Sequence, residues 1–246
     1  MGSPNNIYES QRLLEEYLLF HYASADEVFA SAGITYPPTM REALGFTQRT
    51  VAHFSNQPVQ RGLDLGCAVG ASTFAMASHC EQVIGIDYSN AFIHAAQALQ
   101  QGQVLSYRRH DEAHQYQTLH AQAQGKRERC HFEQGDAMHL RADLGIFDRV
   151  HAANLLCRLP QPELLLEKLP ALVRSGGELV LATPCTWLEE FTPPAHWPQT
   201  DTFTWLQQQL SPHFTLVHHS DEPFLIRETA RKFQWSHSLL TYWRRL

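Results

Sequence analysis

The stretch Leu63-Asp64-Leu65-Gly66-Cys67-Ala68-Val69-Gly70-Ala71-Ser72-Thr73 places an acid in a short apolar run, then a glycine turn, then the start of a helical pattern. Glycine is needed where the backbone turns sharply, and where a ligand must approach the chain without a Cβ in the way. The stretch therefore predicts a strand, a ligand-binding turn and a helix, in that order.

The spacing of these glycines separates two kinds of nucleotide site. A dinucleotide site uses G-x-G-x-x-G, whose close glycine pair admits a diphosphate, whereas this chain has Gly66-x-x-x-Gly70 with Asp64 two residues earlier. The pattern resembles motif I of class I methyltransferases. That resemblance implies S-adenosylmethionine as the cofactor, with the loop holding its methionine end. An NAD-dependent oxidoreductase is the alternative.

Polar groups also follow three later strand candidates. Asp87 ends an apolar run 17 positions after Gly70, where a carboxylate can accept hydrogens from both ribose hydroxyls. Asp136 and Asn154 follow two further runs, and in the resembling family the acid at Asp136 lies by the exocyclic amine of adenine. Since parallel strands of this fold end at one crevice, we expect these groups to meet there. The predicted cofactor-binding residues are Asp64, Gly66, Cys67, Gly70, Asp87, Tyr88, Asp136, Ala137 and Asn154.

Apolar runs alternate with helical patterns from residue 58 onward, which is typical of a doubly wound parallel sheet. The predicted strands are 62–65, 82–86, 131–134, 148–152 and 178–182, and the predicted helices lie near 71–79, 90–101, 161–174 and 202–210. Extended runs at 214–218, 224–227 and 232–242 predict a late antiparallel hairpin. The expected fold is α/β, a Rossmann-like class I methyltransferase. It has a mostly parallel seven-stranded sheet, helices on both faces and an N-terminal helical cap.

Two segments lie outside this alternation. Residues 1–57 form helical pieces broken at Tyr36-Pro37-Pro38, and are predicted to cap a methyltransferase domain of residues 58–246. Residues 103–128 are polar, rich in Gln and His, and too long for a plain connection. They predict a helical insertion or lid, or alternatively a solvated surface helix.

Composition narrows the range of partners. The chain has 19 basic and 25 acidic residues and a formal net charge of -6, which disfavours nucleic acid because phosphate binding uses Lys and Arg. No apolar run approaches the roughly 20 residues of a membrane helix. Five cysteines without a CxxC pair are typical of reduced thiols in a cytoplasmic enzyme. His110 and His114 have helical spacing, but Glu112 does not directly follow the first histidine as zinc proteases require, so no metal is predicted.

Several stretches carry a narrower resemblance. They are residues 8–22 (YESQRLLEEYLLFHY), 154–160 (NLLCRLP), 183–193 (TPCTWLEEFTP), 223–228 (PFLIRE) and 231–235 (RKFQW). They are similar to the methyltransferase of ovothiol biosynthesis, over nearly the whole chain. The resemblance implies methyl transfer to the imidazole Nπ of 5-thiohistidine (4-mercaptohistidine), giving ovothiol A. That family's domain is often fused to a sulfoxide synthase, so the sulfoxide synthase of the same pathway is a candidate partner.

A small amino-acid-like substrate of this kind needs an anion, a cation and an aromatic wall. A protonated ring nitrogen has no lone pair, so the site must hold or accept a proton; Glu189 and Glu190 are the candidate catalytic residues, or they bind the α-amino group. Arg227 is a candidate bidentate partner of the carboxylate. The candidate substrate-binding residues are Tyr8, Asn154, Trp187 and Arg227. Trp187 as core, Arg227 as an ion pair and Tyr8 as a staple for the first helix are the ordinary alternatives.

Two further functions remain open at this point. One is a methyltransferase for another amino acid or small metabolite, and the other is a module that binds the cofactor without activity. The motifs around Asp87 do not separate them, whereas substrate-dependent release of S-adenosylhomocysteine does.

Overall fold

One sheet of seven strands organises the computed structural model, which describes residues 7–30 and 34–246. Its strands are β1 (Val59–Leu65), β2 (Cys80–Asp87), β5 (Cys130–Gln134), β6 (Phe147–Ala153), β7 (Val173–Thr183), β8 (Phe214–Arg227) and β9 (Phe233–Arg245). Their order in the sheet is β5-β2-β1-β6-β7-β9-β8. The first five pair in parallel, and β9 pairs antiparallel with both β7 and β8. The predicted mostly parallel seven-stranded sheet is confirmed.

Helices cover both faces of this sheet, as predicted. The N-terminal part contributes α1 (Gln11–Tyr22), α2 (Ala25–Phe29), α3 (Pro38–Glu42) and α4 (Phe46–Val51); the later helices are α5 (Ala71–Met76), α6 (Asn90–Gln100), α7 (Pro162–Leu172) and α8 (Thr202–Leu210). Side chains alternate along β7, so that Val180 packs in the core with α1, α4, α5 and α6, whereas Leu179 packs with α7 and α8.

Capping side chains fix where several helices begin. Ser10 accepts a hydrogen bond from the backbone of Leu13, Ser89 from Phe92, and Asp201 from Thr204, which supplies acceptors for otherwise unpaired helical N–H groups. Predicted cap residues 1–6 and 31–33 lie outside the described residues. The division into a cap of residues 1–57 and a domain of residues 58–246 stays a prediction. None of the helices in the described ranges combines the length and apolarity needed to cross a membrane.

The predicted helix in residues 103–128 is wrong. This segment forms an antiparallel hairpin of β3 (Leu105–Glu112) and β4 (Gln115–Ala121). The buried side chains alternate along the strands, since Tyr107 is 2% exposed and Leu119 is 8% exposed between solvent-facing polar neighbours. The hairpin packs against α1 and α6, so burial against the helical cap determines its conformation.

The hairpin also fixes the end of α2. Asp111 pairs with both Arg109 and Arg227, at 2.8 and 2.5 Å. Arg109 donates to the backbone carbonyl of Glu27 at 2.6 Å, and Arg227 donates to that of Val28 at 2.5 Å. Two guanidinium groups therefore satisfy carbonyls in the last turn of α2, where cations are favoured.

Candidate functional site

The carboxyl ends of β1, β2, β5 and β6 open into a cavity of about 490 Å³. Eight of the nine predicted cofactor-binding residues line it, and they come from four separate strand ends. They are Asp64, Gly66, Cys67, Asp87, Tyr88, Asp136, Ala137 and Asn154. The topology thus brings together groups that are up to 90 positions apart in the sequence, counted from Asp64 to Asn154.

Two glycines in the turn after β1 have a left-handed backbone conformation. Gly66 has φ +69°, and its backbone N–H donates to the carbonyl of Ile86 at 2.8 Å. Gly70 has φ +93°, and a Cβ there would lie 2.8 Å from Cζ of Phe132. Gly70 does not line the cavity, so its predicted contact with the cofactor is corrected: it allows close packing beneath the turn.

Asp87 connects the turn to the end of β2. One carboxylate oxygen accepts from the backbone N–H of Ala68 and the other from that of Ser89, both at 2.9 Å. Burial raises the pKa of Asp87 to about 6, although these backbone hydrogen bonds oppose the shift. A carboxylate oxygen can accept more than one hydrogen bond, so this group retains acceptor capacity toward the cavity. Two adjacent hydroxyls, such as those of a ribose, are donors that this carboxylate can accept from.

Asp64 is held from beneath by a buried hydrogen-bond network. Its carboxylate accepts from the hydroxyl of Thr73 at 2.6 Å and contacts Nδ1 of His151 at 2.8 Å. Nε2 of His151 contacts the hydroxyl of Thr50 in α4 at 3.0 Å. All four side chains are buried, and His151 and Asp64 both line the cavity. The network therefore links the helical cap to the turn.

Sequence analysis missed His151. It is paired in register with Asp64 across β1 and β6, and it interrupts an otherwise apolar end of its strand. A polar residue at a strand position that should be buried is the signal that could have identified it.

Asp136 makes local contacts although it also lines the cavity. One oxygen accepts from the backbone N–H of Met138 at 2.8 Å, and the other contacts Nδ1 of His139 at 2.9 Å. Ala137 beside it is 7% exposed, whereas Tyr88 on the neighbouring strand end is 56% exposed. Asp136 therefore stabilises its own turn, and the contact of its carboxylate with adenine stays a proposal.

Aromatic rings from the N-terminal helices form one wall of the cavity. Tyr8 and Tyr17 have ring centroids 6.2 Å apart, Tyr17 and Phe20 6.4 Å, and Phe20 and Phe46 6.1 Å. His21 continues this wall, and burial lowers its pKa to about 4, so its imidazole is neutral at physiological pH. The wall therefore offers an apolar, aromatic surface to a ligand.

The loops after β6 and β7 supply further polar groups to the cavity. Asn154 has φ +55°, and its side-chain oxygen accepts from the hydroxyl of Ser238 at 2.6 Å. Arg158, which sequence analysis did not single out, lines the cavity together with Glu190 and Phe191. Arg158 lies within the NLLCRLP stretch, and a lone cation in an apolar loop after a strand end was the available signal.

Two predicted substrate-binding residues, Arg227 and Trp187, and one predicted catalytic residue, Glu189, do not line the cavity. Arg227 is 2% exposed and is paired with Asp111, so its predicted contact with the substrate carboxylate is corrected. Trp187 donates to the hydroxyl of Thr202 at 3.0 Å and packs edge-on against Trp205, as part of the core beside α8. Glu189 is exposed and lies outside the cavity, whereas Glu190 and Tyr8 line it.

Comparison with known proteins agrees with this arrangement. A family model described as a methyltransferase domain matches residues 57–219. A tRNA U34 carboxymethyltransferase of Idiomarina loihiensis is 29% identical over 137 residues, which cover 55% of this chain and 36% of that protein. The match therefore spans about a third of the length of that curated relative.

Solved structures show the same fold at low identity. The N-methyltransferase NodS from Bradyrhizobium japonicum WM9, in complex with S-adenosyl-L-homocysteine, has a TM-score of 0.56 and 18% identity, covering 94% of this chain and 98% of that one. The YcgJ protein from Bacillus subtilis has a TM-score of 0.53 and 11% identity, covering 81% and 97%. The family match covers more than half of the chain and excludes the oxidoreductase alternative. The chain therefore belongs to the methyltransferase-domain family and is an S-adenosylmethionine-dependent methyltransferase with the class I fold.

Proposed function

We propose that this methyltransferase acts on 5-thiohistidine and places the methyl group on the imidazole Nπ, giving ovothiol A. The observation that carries the proposal is the composition of the cavity. Aromatic rings, the guanidinium of Arg158 and the carboxylate of Glu190 all line this cavity. A zwitterionic amino acid with a flat ring matches this set, and the resemblance of the NLLCRLP and TPCTWLEEFTP stretches supports the specific substrate.

The cofactor-binding part of the cavity also fits the proposal. S-adenosylmethionine supplies a methyl group on a positively charged sulfur, which a nitrogen lone pair can attack in line. We propose that Asp87 holds the ribose hydroxyls and that the backbone of the turn at Gly66, Cys67 and Ala68 lies against the methionine part. Most of the catalysis then consists of positioning the two reactants and excluding water.

The residues near the ring must control its protons and its sulfur. Glu190 is exposed at the rim of the cavity, so we propose that it holds the α-ammonium group or takes up the ring proton. The side-chain oxygen of Asn154 is already used by Ser238, which leaves its amide N–H groups as donors. Donation to the thiolate would hold the sulfur away from the methyl group and favour attack by nitrogen.

We expect turnover with 5-thiohistidine to exceed turnover with histidine at least about 100-fold in kcat/KM, because a site that hydrogen-bonds a substrate group rejects the analogue lacking it. Release of S-adenosylhomocysteine is measured with 5-thiohistidine, histidine and cysteine as acceptors. Asp87→Ala serves as the control for cofactor-dependent signal.

Two results would replace the proposal. Comparable turnover of plain histidine would favour a methyltransferase for another amino acid or small metabolite. Binding of S-adenosylmethionine without release of product from any acceptor would favour a module without activity. If the proposal holds, the sulfoxide synthase of the same pathway is the proposed partner, because it would form the bond between the sulfur and the imidazole ring.

A further inference from the structure

We infer that Arg158 and Tyr8 form a binding site for the α-carboxylate of an amino acid inside the cavity. The inference rests on the proposed function, since the expected carboxylate is that of the amino-acid acceptor. The methyl donor carries the same chemical group on its methionine part, so the experiment below distinguishes the two sources.

The guanidinium of Arg158 is fixed along one side only. Its Nη1 donates to the backbone carbonyl of Cys157 at 3.1 Å and to that of Thr186 at 3.2 Å. These carbonyls belong to the loops after β6 and β7, so the side chain bridges both strand ends. The ring of Phe191 lies 4.6 Å from the guanidinium carbon, which adds a cation–π contact. The group is therefore positioned before any ligand binds.

The rest of the guanidinium retains donors for a ligand. Arginine has five N–H donors, of which Nη1 carries two. Tyr8 lines the same cavity, and its ring centroid lies 6.4 Å from that of Phe191, the ring that contacts the guanidinium of Arg158. The phenol of Tyr8 and the guanidinium can both donate to an anion, and a planar guanidinium edge matches the two oxygens of a carboxylate.

Arg158 also differs from the buried arginines of the fold in its charge balance. Arg149 pairs with Glu178 at 2.7 Å, and Arg227 pairs with Asp111 at 2.5 Å. Within residues 7–30 and 34–246, Arg158 has no ion pair with a carboxylate. A half-buried cation without a counter-ion in a ligand cavity favours an anionic ligand group.

The surroundings favour a carboxylate over a phosphate. Among the cavity-lining residues in the described part of the chain, Arg158 is the only Lys or Arg, and a doubly charged phosphate would call for more than one cation. The carboxylate of Glu190 lines the same cavity and complements an ammonium group. Arg158 and Glu190 match the two charged ends of a free amino acid, whereas the other acids of the cavity, Asp64, Asp87 and Asp136, belong to β1 and β2 and the turn after β5.

The test compares Arg158→Gln and Tyr8→Phe with the unaltered protein. Acceptor binding is measured by calorimetry on protein saturated with S-adenosylhomocysteine, using 5-thiohistidine and 5-thiohistamine, which lacks the carboxylate. We expect Arg158→Gln to weaken binding of 5-thiohistidine roughly tenfold, with Tyr8→Phe weakening it less, because hydrogen bonds to a charged group are lost. Binding of 5-thiohistamine should stay unchanged. Arg231→Gln is the matched control, since Arg231 is exposed and lies outside the cavity.

A second measurement separates the two carboxylates. The Kd of S-adenosylmethionine is measured on the same variants without acceptor. If only the affinity for S-adenosylmethionine falls, the carboxylate site is supported and is assigned to the methyl donor. Arg158→Lys replaces Arg158→Gln in these measurements if the latter does not fold. It retains the positive charge but lacks the planar guanidinium, so we expect a partial loss of affinity for the carboxylate ligand.

The inference and the proposed function fail in different ways. If the unaltered protein neither binds nor methylates 5-thiohistidine, the proposed function fails, and the Kd of S-adenosylmethionine alone decides the carboxylate site. The carboxylate site would be overturned if folded Arg158→Gln and Arg158→Lys variants bound both 5-thiohistidine and S-adenosylmethionine with unchanged affinity, whatever the substrate is.

Discussion

Asp87→Ala is expected to weaken binding of S-adenosylmethionine about 10- to 100-fold, which is the scale of hydrogen bonds to a charged group. The change removes the proposed acceptor of the ribose hydroxyls. It also removes the acceptor for the backbone N–H groups of Ala68 and Ser89, which holds the turn in place. Calorimetric titration gives the Kd directly.

Asp143→Ala is the matched control for this variant. Asp143 is exposed, pairs with Arg141 and lies outside the cavity, so its loss changes the formal charge equally without touching the site. The account of the cofactor site would be wrong if Asp87→Ala and Asp143→Ala bound S-adenosylmethionine with the same affinity as the unaltered protein.

The same carboxylate gives cofactor binding a pH dependence. Burial raises the pKa of Asp87 to about 6, so the free protein carries this group ionised at pH 7.5 and mostly protonated at pH 5. Affinity for S-adenosylmethionine should therefore fall roughly tenfold between these pH values, and Asp87→Ala should abolish this part of the fall. The stability of the free protein changes with pH in the opposite direction. Because the folded pKa lies above its ordinary value of 3.8, the stabilisation from this proton is lost as pH rises through about 6.

Asp64→Ala is expected to lower the free energy of unfolding by about 2–5 kcal/mol, because two buried groups would each lose a hydrogen-bond partner at a cost of about 1–3 kcal/mol. His151 is 1% exposed and would lose its carboxylate partner, and the buried hydroxyl of Thr73 would lose its acceptor. Chemical denaturation monitored by circular dichroism measures the loss. Asp201→Ala removes an exposed helix cap and should cost about 1 kcal/mol. Equal losses in the two variants would show that the buried network does not stabilise the fold.

The sheet and the turn after β1 could be predicted because their signals are local. An apolar run, an acid and two glycines lie within the eight positions from Leu63 to Gly70. Both glycines have a positive φ, in keeping with the sharp turn that was predicted there. The alternation of strands and helices then determined the layers of the fold. The hairpin β3–β4 was missed because its few apolar side chains, such as Tyr107 and Leu119, are separated by polar ones. Their burial depends on the distant helix α1.

The substrate residues depended on long-range partners, which spacing does not reveal. Arg227 follows a strand run much as a ligand-binding residue would, but Asp111, 116 positions away, holds it in the core. Trp187 follows β7 and turns toward Thr202. Arg158 lies in the quoted NLLCRLP stretch, yet only the fold shows that its guanidinium reaches the cavity. Sequence therefore located the loops of the site more reliably than the side chains within them.

The position of the transferred methyl group tests the proposed function most directly. The protein is incubated with 5-thiohistidine and S-adenosylmethionine labelled with carbon-13 in the methyl group, and the product is examined by long-range proton–carbon NMR correlation. We predict a single product with the label on Nπ and a free thiol, although sulfur is the softer nucleophile. An S-methyl product, or a label on the other ring nitrogen, would contradict the proposal.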